Sequence, residues 1–363
     1  MAPTEPEGSD LLVFDDPTDP HGIAMQTARR RSGRRVLLGL AVSALLLLAV
    51  AAGAVYVVTE SLGNNVTRLP DTFRGLDTAT RPADTEALTF LLVGTDSRSA
   101  EPTTGEAAEP GVDAGSQRSD VLMLAKFDPQ RTGASVVSIP RDSWVDIPGH
   151  GQNKINAAYA FGGPPLLIQT VEQLTGVRVD HFAVIDFAGF QSMVDAVGGI
   201  DVRVAGATSN NGVEFHQGLN HLDGAAALAY VRQRYDLPRG DIDRAQRQQN
   251  AMRALLSKAV SGGMLADPVQ LYRLLDAVSR SVSVDDTLSN GGIRELGVEM
   301  RGMRPDGMTF VGAPVRGLGR EGTQSVVYLD ETRSAELWDA VRTDGIAVYA
   351  QRNPRDLLGE SPP

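Results

Sequence analysis

A run of 23 residues without a charge, VLLGLAVSALLLLAVAAGAVYVV from Val36 to Val58, limits what this chain can become more than any other stretch. At about 1.5 Å per residue, a helix of that length crosses a hydrocarbon core of roughly 30 Å. It is too long, and too far from the start, for an ordinary signal-peptide core, so one N-terminal transmembrane helix is expected to remain as an anchor. Arg29, Arg30, Arg31, Arg34 and Arg35 precede it, whereas only Arg68 and Arg74 follow closely. The positive-inside rule then sets a single-pass arrangement at the cell membrane, with a cytoplasmic N-terminus and an extracytoplasmic remainder.

The segments around the anchor divide by composition. Residues 1–35, rich in Pro, Asp, Glu, Thr and Gly, lack the apolar content to offset chain entropy and read as a disordered cytoplasmic tail. Residues 59–86 read as an extracytoplasmic stalk. Residues 87–345 hold the patterned, foldable sequence, and the polar residues 346–363 read as a disordered tail. With no cysteine, disulfides, thiolate metal sites and cysteine nucleophiles are excluded, so any metal must sit on oxygen or histidine. The five histidines show no ligand spacing. A net charge of -11 argues against nucleic acid as a partner.

Within 87–345, strands alternate with charged loops and later with helices, which predicts an α/β sandwich. LTFLLV at 88–93 runs into Gly94-Thr95-Asp96-Ser97-Arg98, a strand end that presents a carboxylate. Strands at 121–127 and 134–139 are bracketed by Arg118-Ser119-Asp120 and by Arg141-Asp142. Helices are expected at 164–175, stopped by Gly176, at 224–231 with Asp223 as cap, at 267–284, and at 331–342 behind Asp330. A long helix from Asp241 to about Val260 has Ile242, Ala245, Met252, Leu256 and Ala259 as its buried seam.

The densest charge lies in Tyr230–Gln249, YVRQRYDLPRGDIDRAQRQQ, where five arginines and three aspartates share twenty residues. Such a run is ordinarily a solvated face. Arginine, however, recognises phosphate through a rigid two-pronged contact. Asp241, Arg244 and Gln248 fall at i, i+3 and i+7 on one helix face, and Arg232 and Arg234 can join them if the chain is extended by Arg232. That set makes a cradle for a diphosphate at a helix N-terminus. Asp236, Arg239 and Arg247 read as surface.

The ordered blocks GTDSR, RSD, SIPRD, KINAAYAFGG, VDHFAVIDF, VGGIDV, LDGAAALAYVRQR and GDIDRAQRQQ resemble the LytR-CpsA-Psr family of cell-wall polymer ligases over about 87–260, with weaker continuity to about 344. The resemblance implies that 87–345 is a catalytic domain with a mixed central sheet in an α-β-α sandwich, and an apolar tunnel for a lipid. It implies a phosphotransferase that moves a glycopolymer from a polyprenyl-pyrophosphate carrier to peptidoglycan through a phosphodiester. It makes Asp96 and Asp120 ligands of Mg2+ (or Mn2+) or acid/base groups, with Asp241 in the same cluster. Arg141, Arg232, Arg234, Arg244 and Gln248 become pyrophosphate ligands, with Arg98 and Arg118 beside them. A hydrolase of the same donor, or a non-catalytic binder of lipid-linked phosphate or anionic polymer, would use the same residue types. Periodicity alone does not separate a lipid channel from a packed core.

Overall fold

The computed structural model describes residues 56–95, 119–259 and 267–363. The chain divides into two units, residues 1–58 and 59–363. Of the expected anchor at 36–58 only residues 56–58 are described, and the expected tail 1–35 lies outside the described residues. Among the described residues no helix is long and apolar enough to cross a membrane.

The described residues form fifteen strands and nine α-helices. Helix α1 covers 56–65, followed by β1 (Thr67–Leu69), β2 (Leu88–Thr95), β3 (Ser119–Phe127), β4 (Ala134–Ser138), β5 (Trp144–Ile147) and β6 (Gly151–Lys154). Then come α2 (Ile155–Thr175), β7 (His181–Asp186), α3 (Phe187–Ala196), β8 (Ile200–Val204), β9 (Thr208–Asn210), β10 (Val213–Phe215) and β11 (Gly218–Leu222). The chain continues through α4 (Gly224–Arg232), α5 (Asp241–Ala259), α6 (Pro268–Ser281), β12 (Val282–Asp285) and α7 (Asn290–Glu299). It ends with β13 (Met308–Gly312), β14 (Val315–Glu321), β15 (Gln324–Leu329), α8 (Glu331–Arg342) and α9 (Ile346–Arg352).

The main sheet has the order β1-β12-β7-β2-β3-β4-β13. Pairing is parallel for β1/β12, β7/β2 and β4/β13 and antiparallel for the other three pairs, so the sheet is mixed as expected. Alternation along the strands supplies both faces. Leu91, Val93, Leu122 and Leu124 face a core shared with α2 and α8. Met123, Ala125, Val136 and Phe310 face the opposite layer, where Met252 and Leu256 of α5 cover them. A third cluster joins α3, α4, α5 and β8 around Val194, Ile200, Tyr230 and Leu255.

Local chemistry places the helix ends as read from the sequence. Asp223 accepts from the Ala226 amide at 2.8 Å and starts α4, and Asp330 accepts from the Arg333 amide at 3.1 Å and starts α8. Gly176 closes α2 in the left-handed conformation, φ 64°.

Four expectations change. The stretch 59–86, read as a stalk, contributes β1 to the sheet edge, and its Leu69, Phe73 and Leu76 pack on the core. The segment read as a disordered tail begins with α9 and returns to β13, where the Gly312 amide donates to Asp356 O at 2.8 Å and the Leu358 amide to Phe310 O at 3.0 Å. The helix expected to run to 284 stops at Ser281, and Val282–Asp285 becomes β12, held between β1 and β7 by two ladders. Finally, the seam expected to be buried on α5 is only half-buried, while Arg244, Arg247, Gln248 and Asn250 are buried.

Candidate functional site

Antiparallel register brings the first half of the site together. The β3/β4 ladder pairs Met123 with Ser138, and Ile139 N continues it by donating to Leu122 O at 2.9 Å. Extending the register sets Asp120 opposite Arg141, and Arg141 Nη1 bonds Asp120 Oδ1. The next residue, Asp142, receives Lys154 Nζ from the end of β6 at 3.1 Å.

The first turns of α5 supply the second half. Asp241 Oδ1 lies 3.1 Å from Arg244 Nη2 one turn on and 3.3 Å from Arg234 Nε, at angles that complete no hydrogen bond to that oxygen. Arg141 Nε is likewise buried without a hydrogen-bond partner. Asp120, Arg141, Asp241, Arg244 and Gln248 line one small polar cavity of about 10 Å3, room for roughly a single water. The space is small because each guanidinium group folds onto a carboxylate, so an incoming anion must compete with Asp120 and Asp241 for their arginines.

The electrostatics favour an anion. Burial and the hydrogen bond to Asp241 push the Asp142 carboxyl above the usual range. Burial also pushes Asp241 upward, but the hydrogen bond from Asp142 and the guanidinium groups of Arg244, Arg141 and Arg234 outweigh it and hold Asp241 below that range. The two carboxyls act directly on each other, and their contact raises one while lowering the other. Burial lowers Arg244, aided by the neighbouring Arg141 and opposed by Asp241. Arg141, Arg234, Arg244 and Lys154 outnumber Asp120, Asp142 and Asp241 around the cavity.

Beside it lies an apolar cavity of about 340 Å3, set between the sheet and α3, α5 and α6. Leu92 and Met123 from the sheet, Phe190 from α3, Met252 and Leu256 from α5 and Val278 from α6 form its walls. Met252, Leu256 and Ala259, three members of the predicted seam, face this space, which explains why they are half-buried. Val121 and Gln248 line both cavities, so the polar and apolar spaces share one wall.

The sequence-predicted residues thus separate into three groups. Asp120, Arg141, Asp241, Arg244 and Gln248 meet in the polar cavity, with Arg234 at its rim, 48% exposed. Arg232 ends α4, and its guanidinium stacks 4.8 Å above the Phe187 ring, which lines the apolar cavity. Gln233 between Arg232 and Arg234 is extended and turns inward, buried. Asp96, Arg98 and Arg118 lie outside the described residues. Two members were missed, Asp142 and Lys154. Lys154 had a signal in that the chain has only three lysines.

Arg247, read as surface, is 0% exposed. It donates to Gln233 Oε1 at 2.6 Å and to Thr208 Oγ1 at 2.9 Å, and lies 4.6 Å above the Tyr230 ring. Among the described residues no group of three or more His, Asp or Glu could hold a metal ion unaided.

Known proteins share this arrangement of elements. Residues 59–343 match the model of the LytR_cpsA_psr family. The chain is 36% identical over 299 residues to the probable cell wall biosynthesis protein LcpB of Corynebacterium glutamicum, across 81% of this chain and 69% of the relative. It is 38% identical over 214 residues to the polyisoprenyl-teichoic acid–peptidoglycan teichoic acid transferase TagU of Bacillus mycoides, across 59% of this chain and 64% of that protein, somewhat under two thirds of its length. The crystal structure of B. subtilis TagV superposes with a TM-score of 0.59 at 24% identity over 73% of this chain and 99% of that one, a likeness of fold. The match over most of the sequence, on a mixed sheet with an arginine-lined cavity at its edge, places this chain in the LytR_cpsA_psr family.

Proposed function

We propose that the chain is a membrane-anchored, extracytoplasmic phosphotransferase that moves a glycopolymer from a polyprenyl-pyrophosphate carrier to peptidoglycan through a phosphodiester bond. The observation that carries this reading is the wall shared by the polar and apolar cavities at Val121 and Gln248. A lipid diphosphate has a compact anionic head joined to an apolar tail, and it would occupy both. The description of TagU from B. mycoides as acting between a polyisoprenyl-linked teichoic acid and peptidoglycan supports the same class of donor and acceptor. The uncharged run Val36–Val58 would be the anchor, its flanking arginines in the cytoplasm.

In the reaction, an acceptor hydroxyl oxygen attacks the phosphorus that bears the glycan. A new O–P bond forms, the bridging P–O bond breaks, and polyprenyl phosphate leaves with the bonding pair. The hydroxyl proton passes to a carboxylate. Such a transfer needs alignment and charge stabilisation more than covalent help, which suits a cavity of arginines. Arg141 and Arg244 hold the diphosphate, and Arg234 closes on it from the rim. Asp241 is engaged by the guanidinium groups of Arg244 and Arg234. Its part is to position Arg244 and Arg234, and the proton falls to Asp120, or to Asp96 outside the described residues.

The carboxylate oxygen of Asp120 is a donor of the kind that a hard divalent cation such as Mg2+ or Mn2+ takes. Such ions keep waters and take few protein oxygens, so Asp120, with Asp96 and the ligand's phosphates, would suffice. When bound, the cation would neutralise diphosphate charge.

The test is incubation of the purified chain with a lipid-linked oligosaccharide, a peptidoglycan fragment and Mg2+, with products read by mass. A glycan joined to the fragment is expected. Released glycan phosphate would make the chain a hydrolase, and a donor bound but never consumed would overturn the enzymatic reading.

A further inference from the structure

Three spaces lie against α5 and follow one another across the main sheet, the first at β2 and β3, the second at β3 and β4, the third at β4 and β13. Met252, Leu255 and Leu256 line the apolar cavity, and Asp241, Arg244 and Gln248 the polar one. Ile242, Ala245 and Gln246 line a third, a groove of about 360 Å3 that the function above leaves unused. The polar cavity shares Val121 and Gln248 with the apolar space, and Ser138 and Ala245 with the groove. The polar cavity is therefore the middle of a series. A lipid diphosphate whose tail lies at the apolar end must send its other ester out at the opposite end.

The groove has the chemistry for what emerges there. Arg239, Arg316, Arg333 and Arg355 line it against a single carboxylate, Asp356. Arg239 is committed to Asp243 at 2.7 Å, and Arg333 bonds Asp356. Arg316 and Arg355 are exposed, and among the described residues neither pairs with a carboxylate; Arg316 lies 5.4 Å above the Tyr328 ring. Uncommitted guanidinium groups gathered in one groove, in a chain of net charge -11, mark a wall built for anions. The β15 strand behind Arg316 is also tied to the site, since the Val327 amide donates to Asp142 O at 2.9 Å.

We propose that this groove is a subsite for an anionic glycan next to the transferred phosphorus, an inference that rests on the transferase reading. Phosphodiesters of the donor polymer and carboxylates of the acceptor offer the same recognition chemistry, and the experiment separates them. Binding to the purified full chain is measured for three soluble probes of equal length: a phosphodiester-linked oligosaccharide, a uronic-acid oligosaccharide and a neutral dextran oligosaccharide. Wild type is expected to bind an anionic probe and not the neutral one, with affinity at least tenfold lower in Arg316→Glu/Arg355→Glu and intermediate in Arg316→Gln/Arg355→Gln. Preference for the phosphodiester probe assigns the groove to the donor, and preference for the carboxylate probe assigns it to the acceptor. Equal affinity of wild type and both variants for the anionic probes overturns the proposal.

A lipid diphosphate carrying one neutral sugar serves as control, and all three proteins are expected to consume it at the same rate. If no protein consumes it while the probes still discriminate, the transferase reading falls and the groove stands. If all consume it and the probes do not discriminate, the groove falls alone.

Discussion

Helix α5 carries two polar stripes of the same period, and they serve opposite ends. Asp241, Arg244 and Gln248 face the cavity, where the arginine meets carboxylates and neighbouring guanidinium groups. Asp243, Arg247 and Asn250 face the scaffold: Asp243 takes Arg239, Asn250 Nδ2 donates to the Tyr230 hydroxyl at 2.9 Å, and Arg247 donates to Gln233, Thr208 and Pro363 O and lies against two aromatic faces. Two arginines three residues apart, both buried, thus differ in what surrounds them. A cation whose acceptors all belong to the scaffold is a fixed structural member. A cation whose acids can be exchanged for a ligand is a binding group.

Substitutions test that contrast. Arg247→Ala removes its bonds to Gln233, Thr208 and Pro363 O and opens a hole under Tyr230, so thermal or urea unfolding is expected to show a loss of about 3 kcal/mol or more. Arg244→Ala is expected to lower turnover of a lipid-linked donor by about 10²–10³-fold, as for other lost anion donors, while melting barely moves. The contrast breaks if Arg247→Ala silences transfer in a chain that melts normally, or if Arg244→Ala unfolds it. Met252→Trp, which fills part of the apolar cavity, is expected to raise KM for a long-chain donor by roughly tenfold, the scale of one to two kcal/mol of displaced apolar contact, and to leave a short-chain analogue unaffected.

The smallest expected effect concerns protons. Because Asp142 titrates above its ordinary value, the folded chain keeps a proton in a window where the unfolded chain has lost it, and stability falls as pH rises through that window. Asp142→Asn is expected to flatten that slope in melting curves recorded from acid to neutral pH. An unchanged slope would mean that Asp142 does not titrate above its ordinary value in the folded chain.

The cavity stripe could be read from the sequence and the scaffold stripe could not, for a physical reason. Both recur at helical spacing, and spacing says which residues share a face but not what the face meets. Arg247 was assigned to the surface because its partners Thr208 and Gln233 approach from elements defined only by tertiary packing. The strands of β2 and β3 and the caps at Asp223, Asp330 and Gly176 were legible because local chemistry fixes them. Strand β12 was not, since Val282–Asp285 is four residues long and continues a helical pattern, and its strand identity comes from pairing with β1 and β7. The apolar cavity was hidden for a related cause: Met252 and Leu256 repeat as core residues do, and only the third dimension leaves space before them.

That space has a kinetic consequence. On the transferase reading, the bond that breaks lies beyond the lipid's own phosphate, so the apolar cavity grips donor and spent carrier alike. Contacts made equally before and after the chemical step cannot speed that step. They also slow escape of the spent carrier, so turnover would be paced by lipid departure into the bilayer, and added polyprenyl monophosphate would compete with fresh donor for the same berth.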